Sequence, residues 1–228
     1  MLLLAADTSG KQGSIALAKC GAGESCEVIE VVPLAGGTFS VQLVPQIAAL
    51  LKKHGYSKTV LAGFAVVSGP GSFTGLRVGL AAIKALAEVL HKPIAAVSLL
   101  EAVARSGGAH ARVFAALDAG RGEVYAGDYD LGPLIHERKV LMRSERLLSR
   151  SEFLTEARTH VVVTPDAGLA QMAQVAGIPV EQIEYPGSGA IARLGWEHIQ
   201  RGETVQPEEL EANYIRRSDA EMFSKPNP

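Results

Sequence analysis

The chain has 228 residues, with 22 Lys and Arg against 24 Asp and Glu, and 47% of its residues are hydrophobic. This composition is typical of a globular protein with one or two domains and excludes a disordered chain. The near-neutral charge argues against a stand-alone nucleic-acid binder, and two cysteines are too few for a disulfide scaffold.

The amino-terminal residues predict a strand and not a targeting signal. Residues 2–6 are apolar, no basic region precedes them, and Asp7 follows. The uncharged residues 33–51 contain glycines and prolines, which favour a strand end, a turn and a helix over a membrane span. We therefore expect a cytoplasmic protein without a membrane segment. Cys20 and Cys26 are expected to be reduced thiols in a hairpin.

The first half of the chain predicts an α/β fold. Its predicted elements are strands at residues 2–6, 13–19, 26–32, 63–67 and 94–97, helices at 41–51 and 76–90, and a short third helix capped by Ser98. Three antiparallel strands followed by alternating helices and strands indicate a ribonuclease-H-like, actin-like (ASKHA) fold, because a Rossmann sheet would alternate from its start.

Composition also suggests two subdomains. The small residues Ser106, Gly107 and Gly108 mark a boundary between subdomains. This predicts a ribonuclease-H-like subdomain at 1–106 and a smaller one at 107–188. A late helix at 189–201 is expected to pack back on the first subdomain, and 202–228 is a tail. The predicted elements of the second subdomain are a hairpin of strands 113–117 and 124–129, a helix at 151–157 and a strand at 160–164. Residues 131–186 carry few other signals.

A glycine-rich loop is the most specific local feature. Residues 69–79 read GPGSFTGLRVG between a predicted strand and helix, a place where backbone N–H groups can bind phosphate. The candidate phosphate or nucleotide residues are Asp7, Gly69, Gly71, Ser72, Gly75 and Arg77. The spacing matches neither a P-loop nor a dinucleotide fingerprint, so a tight turn that lets the helix approach the sheet is an equal alternative.

The helix after this loop carries a stripe of small residues, Gly75, Gly79 and Ala82. Such a stripe serves either close packing inside the chain or docking of a partner helix. The helix at 41–51 is similarly apolar. The candidate partner-interface residues on the two helices are Val41, Val44, Ala48, Leu51, Gly75, Leu76, Gly79, Ala82 and Ile83.

Catalytic signals are few. No two of the six histidines lie within four residues of each other, so no helical metal pair is predicted. Asp7 ends the first strand without a second acid close by in sequence, and Asp118 and Glu123 read as polar turn residues. We therefore predict no catalytic residue and no metal site.

Four motifs resemble the bacterial TsaB (YeaZ) family: DTS at 7–9, GPGSFTGLRVG at 69–79, DAGRGEVY at 118–125 and NYIR at 213–216. The resemblance implies a role in synthesis of threonylcarbamoyladenosine in tRNA, beside the paralogous transferase TsaD and the ATPase TsaE. The metal-binding histidines of TsaD fall here on Leu99 and Val103, which cannot bind a transition metal, while Glu101 is retained. Phe39 stands where the family often has His.

The favoured hypothesis is a non-catalytic scaffold that pairs with TsaD through the first two helices, with TsaE joining and with tRNA bound through the complex. Alone, the same surface is expected to form a homodimer. No cofactor is expected in the isolated chain; ATP and Mg²⁺ belong to the complex.

The alternatives are an ATP-binding phosphotransferase using Asp7 and the glycine loop and, less favoured, a metallopeptidase. Arg216, Arg217 and Lys225 could touch tRNA phosphates but supply little affinity at physiological salt.

Overall fold

The computed structural model describes residues 1–23, 25–132 and 141–215. The elements of the first half are β1 (Leu2–Asp7), β2 (Gly13–Cys20), β3 (Cys26–Leu34), α1 (Phe39–Lys53), β4 (Leu61–Gly69), α2 (Phe73–Leu90), β5 (Ile94–Ser98) and α3 (Leu99–Ser106). Those of the second half are β6 (Arg112–Gly120), β7 (Glu123–Asp130), β8 (Leu141–Ser149), α4 (Arg150–Glu156), β9 (Val161–Thr164), α5 (Ala167–Val175), β10 (Val180–Gln182) and α6 (Ser188–Gln200).

Both halves have the same topology. In the described residues the first sheet has the order β3-β2-β1-β4-β5 and the second the order β8-β7-β6-β9-β10. In each half the first three strands pair antiparallel with one another. The fourth strand pairs parallel with the first, and the fifth pairs parallel with the fourth. This βββαβαβα order, present twice, is the ribonuclease-H-like, actin-like (ASKHA) fold, and the predicted fold class is confirmed.

The last helix of each half packs against the other half. α6 lies on the first sheet, and α3 contacts strands of both sheets. A Cβ on Gly195 would overlap the Cβ of Ala65, so α6 approaches the sheet closely only because position 195 is glycine. Between the two helices, Arg105 Nη2 donates to both carboxylate oxygens of Glu197, at 2.8 and 2.7 Å. This largely buried ion pair joins the last helices of the two halves.

The apolar core follows strand alternation. On β6, Val113, Ala115 and Leu117 join the large core shared with the first sheet and α3. Phe114 and Ala116 point to the opposite face, into a second core with Phe153. Both faces of β6 are therefore buried. None of the described helices combines the length and apolarity needed to cross a lipid bilayer.

The structure extends the predicted elements. α2 begins at Phe73, three residues before the predicted start, because Ser72 caps it and its Oγ accepts a hydrogen bond from Gly75 N at 3.3 Å. The prediction missed β8, α5 and β10. β8 reads LMRSERLLS and has mostly solvent-accessible side chains, so its alternation is weak, and β10 has only three residues.

The glycines of α2 face inward. Thr8 Oγ1 donates to Gly75 O at 2.7 Å, and a Cβ on Gly79 would overlap Thr8 Oγ1. At these two positions the small-residue stripe therefore serves packing of α2 on the end of β1. The alternative, in which Gly75 and Gly79 form an outward docking surface, is wrong.

We predict that Gly79→Ala lowers the free energy of unfolding by about 1–3 kcal/mol, because the methyl group displaces Thr8 from its hydrogen bond to Gly75. Gly168 in α5 is the matched control, since a Cβ there would have no neighbour within 4 Å. Gly168→Ala should be neutral or stabilising by up to about 1 kcal/mol. Urea unfolding measures both variants, and equal effects would contradict the inward packing of α2.

Candidate functional site

A cleft of about 830 Å³ lies between the two sheets, where β1, β4 and β6 end. In α/β sheets, ligands bind beyond the carboxyl ends of the strands. Both halves supply its lining residues, which include Ser9, Gly71, Ser72, Gly75, Leu117, Asp118, Asp166 and Tyr185. The cleft is therefore the place in this fold where a small ligand or a phosphate would be held.

The glycine loop closes down on the turn after β1. Ser72 N donates to Ser9 O at 2.7 Å, and Gly75 N donates to the Ser72 hydroxyl. A Cβ on Gly71 would come within 2.6 Å of Ser9 O, which explains the glycine at that position. Two amides of the loop thus already have partners inside the chain, whereas a phosphate cradle needs such amides free.

Asp7 lies beneath this turn and does not line the cleft. Only 1% of the surface of Asp7 is exposed. Its Oδ1 accepts hydrogen bonds from Ser9 N at 2.8 Å and from Ser9 Oγ at 2.6 Å. Burial raises the pKa of the Asp7 carboxyl, and the hydrogen bonds from Ser9 only partly oppose this rise. The side chain therefore holds the turn together from inside.

Two other carboxylates reach the cleft from the second half. Asp118 N donates to Asp166 Oδ2 at 2.9 Å, and Gly120 N donates to Asp118 Oδ1 at 3.1 Å. Asp118 is thus a turn residue, as predicted, and also a cleft residue. Asp166 was missed, since only the parallel pairing of β6 and β9 brings it beside Asp118. Within the described ranges, no group of three or more His, Cys, Asp or Glu could hold a metal ion.

Arg77 and the carboxyl-terminal segment form an exposed cluster next to the loop. The Arg77 guanidinium lies 3.8 Å from the centre of the Phe73 ring, and its Nε donates to Tyr214 OH at 3.0 Å. Tyr214 packs on Phe73 with 4.9 Å between ring centres. Asn213 N donates to Ser68 O at 2.7 Å. Arg77 therefore anchors the segment that ends the described chain.

The structure separates the candidate phosphate residues into two groups. Gly71, Ser72 and Gly75 line the cleft, whereas Asp7, Gly69 and Arg77 do not. Gly69 faces Asn213 instead, since a Cβ there would overlap Asn213 O. Phosphate binding by the loop stays a prediction. Of the residues named for tRNA contact, Arg216, Arg217 and Lys225 lie outside the described residues.

The candidate partner-interface residues also divide by burial. Val41, at 69% exposure, Val44 and Ala48 are exposed on α1, and Ala82 of α2 is half-buried. The buried members of the set are Leu51, Gly75, Leu76, Gly79 and Ile83. The prediction that these five residues form part of a docking surface is wrong, because their side chains or Cα atoms pack within this chain. The predicted set mixed the inner and outer faces of two largely apolar helices.

The positions at which the resemblance places the transferase histidines carry core side chains. Leu99 and Val103 of α3 are buried in the large core. Glu101, between them, accepts a hydrogen bond from His198 of α6 with the ring Nε2 at 3.3 Å. The retained carboxylate therefore contacts α6 in this chain.

Comparison with known proteins identifies the family. A family model described as TsaD, tRNA N6-adenosine threonylcarbamoyltransferase, matches residues 31–148. The tRNA threonylcarbamoyladenosine biosynthesis protein TsaB of Bacillus subtilis is 34% identical over 160 residues, which cover 68% of this chain and 67% of the relative. The chain belongs to the TsaB (YeaZ) family. The Escherichia coli TsaB is 29% identical over 234 aligned positions and 96% of each chain.

Solved structures agree with this TsaB assignment. YeaZ from Pseudomonas aeruginosa superposes with a TM-score of 0.71 at 25% identity, over 93% of this chain and 100% of that one. A second structure, of an uncharacterized protein with similarity to peptidase YEAZ from the same organism, gives 0.73 at 26% identity, over 94% and 99%. The resemblance drawn from the four motifs is therefore confirmed.

The raised pKa of Asp7 predicts a pH effect in this TsaB-family chain. Between the ordinary aspartate pKa of 3.8 and the raised value, the folded state binds a proton that the unfolded state has lost. The free energy of unfolding of the wild type should therefore fall as pH rises through this range, by about 1.4 kcal/mol for each unit of pKa elevation. The free energy of unfolding of Asp7→Asn should not show this fall. It should therefore rise relative to that of the wild type as the pH approaches neutral.

Asp130→Asn provides a control of opposite sign. A hydrogen bond from Arg143 lowers the pKa of Asp130, so its contribution to stability is present above the ordinary pKa and is lost as pH falls. Urea unfolding over a pH series measures both variants. An Asp7→Asn curve parallel to that of the wild type would contradict the burial argument.

Proposed function

We propose that this chain acts in tRNA threonylcarbamoyladenosine biosynthesis as a non-catalytic partner of a TsaD-type transferase, and that it docks through the outer faces of α1 and α2. Membership of the TsaB family supports the pathway. The observation that carries the docking proposal is the exposed apolar face of α1.

That face is built by helical spacing. Leu43, Ile47 and Leu50 turn into the core, which leaves Val41, Val44, Pro45, Ala48 and Ala49 exposed on the other side. α1 packs beside α2, whose exposed residues include Ala81, Ala85 and Val89. The basic residues of α1 are Lys52 and Lys53, in its last turn. The uncharged surface of small and branched side chains on α1 suits a helix-to-helix contact, whereas the exposed residues of α2 also include Arg77 and Glu88.

Three features of the interior support a non-catalytic role. Leu99 and Val103 pack in the core, at the positions where the resemblance places the metal ligands of the transferase. The Asp7 carboxylate binds Ser9 of its own turn. The amides of Ser72 and Gly75 are also engaged within the chain. Each of these three sets of groups thus serves the stability of this fold.

The remaining partners follow from this role. A TsaE-type ATPase joins the pair, and ATP and Mg²⁺ act at the level of that complex. tRNA binds mainly through the complex, because the chain carries a net charge of −2 and a basic excess is what gives proteins affinity for nucleic acid. Without the transferase, the same apolar face pairs two copies of the chain.

Val41→Arg tests the docking surface. Val41 is 69% exposed, so the isolated fold should be unaffected, while a charge within an apolar contact should weaken binding to the transferase by at least about tenfold. Val175→Arg is the matched control, because Val175 is 84% exposed on α5 in the other half. Calorimetric titration with the transferase measures both, and equal affinities would overturn the docking assignment.

The same pair of variants tests the function in cells. After depletion of this chain, the level of threonylcarbamoyladenosine in tRNA, measured by mass spectrometry of nucleosides, should fall. Val175→Arg should restore that level, and Val41→Arg should not. An unchanged level after depletion would contradict the proposed pathway, whatever the binding result.

A phosphotransferase remains the second candidate, because Asp118 and Asp166 line the same cleft as the glycine loop. Titration of the purified chain with Mg-ATP separates the two functions. The scaffold role predicts neither micromolar binding nor turnover by the chain alone. Binding with turnover that is lost in Asp166→Asn would favour the phosphotransferase, and stoichiometric zinc or iron in the purified chain would favour a metallopeptidase.

A further inference from the structure

The two cysteines face each other across the β2–β3 hairpin. Cys20 lies directly opposite Cys26 in the antiparallel register. In the adjacent pair, Gly21 N donates to Ser25 O at 2.8 Å, whereas Cys20 N donates to Met1 O on the other side of β2. Hydrogen-bonded and non-hydrogen-bonded pairs alternate along an antiparallel ladder, so Cys20 and Cys26 form a non-hydrogen-bonded pair.

This type of pair brings side chains closest. Its Cα atoms are typically about 4.5 Å apart, within the range of about 4.4–6.8 Å that disulfides span. Both thiols are free in this structure. The backbone register thus places the two thiols in a class of cross-strand pair whose typical Cα separation a disulfide can span.

The surroundings make the two thiols unequal. Cys20 is buried, while Cys26 is partly accessible. Cys26 Sγ lies 3.7 Å from Ala192 O on α6. The hydrogen bond with Cys20 lowers the pKa of the Cys26 thiol despite its partial burial, and Arg193 lowers it further, whereas the same hydrogen bond and burial raise the pKa of Cys20. Cys26 is therefore the thiol that ionises more readily and that a reagent can reach.

We propose that Cys20 and Cys26 are a redox modification site that forms a reversible intramolecular disulfide, with Cys26 reacting first and Cys20 resolving. The oxidant class is a hydroperoxide. The Cys26 thiolate attacks one peroxide oxygen, the O–O bond breaks, and hydroxide leaves and takes up a proton to become water. The Cys20 sulfur then attacks Cys26 Sγ and loses its proton as the S–O bond breaks and a second water leaves. Two thiols are oxidised by two electrons, and hydrogen peroxide is reduced to two waters.

A natural reporter lies beside this pair. Trp196, the single tryptophan of the chain, donates its indole N–H to Gly23 O in the hairpin turn at 2.9 Å. Trp196 follows Ala192 by one turn of α6 and therefore lies on the same side of that helix. A disulfide between the strands should change the fluorescence of this tryptophan.

The test treats the folded full-length chain with hydrogen peroxide and follows its intact mass and free thiols. The wild type should lose both thiols and the mass of two hydrogens, remain monomeric by non-reducing electrophoresis, and recover with dithiothreitol. Cys20→Ala should stop at a sulfenic acid on Cys26 that dimedone traps. Cys26→Ala should keep its thiol, because Cys20 is buried. Trp196 fluorescence should change with the wild-type mass loss and with neither variant.

The urea-unfolded wild type provides the decisive comparison. The folded chain should form the disulfide at least several-fold faster, because the strand register holds the thiols together. Equal or faster oxidation of the unfolded chain would overturn the proposal, as would folded wild type that gains oxygen without losing two hydrogens. These wild-type measurements decide the question even if a variant fails to fold.

Discussion

The close approach of α2 to the end of β1 determines the geometry of the first half. Thr8 Oγ1 donates to Gly75 O, and neither Gly75 nor Gly79 has space for a side chain against Thr8. This contact holds the amino-terminal end of α2 over the turn that follows β1. The glycine loop is thereby closed on Ser9, and Asp7 is enclosed beneath the turn. With its glycine face turned inward, α2 leaves its alanine face to solvent beside α1.

Duplication of one topology gives the cleft two unequal walls. On the first wall, polar groups after β1 and β4 bind one another, as in the hydrogen bonds that Ser9 makes to Asp7 and accepts from Ser72. On the second wall, Asp118 and Asp166 still line open space. The first wall of the cleft therefore satisfies its own polar groups, which is one of the observations behind the proposed non-catalytic role.

A single carboxylate links the two halves to the carboxyl-terminal segment. Glu145 of β8 accepts hydrogen bonds from Ser98 at the end of β5, from Tyr129 on β7 and from Asn213, the last at 2.9 Å. Burial raises the pKa of the Tyr129 hydroxyl, and the negative charge of Glu145 adds to that rise. Beside it, Tyr214 packs on Phe73 at the start of α2. The segment therefore closes over the glycine loop and joins the two sheets on one side.

Sequence alone was enough to predict the order of elements in the first half, the Ser98 cap, the fold class and the family, because turn residues, capping residues and motif spacing are local signals. The Ser72 cap was not predicted. The tertiary structure alone decided which face of α2 is buried, that Asp166 meets Asp118, and that Cys20 opposes Cys26. Periodicity shows which residues share a face, but when both faces of a helix are apolar it cannot show which one packs inward. Register and convergence depend on long-range contacts, which local spacing does not encode.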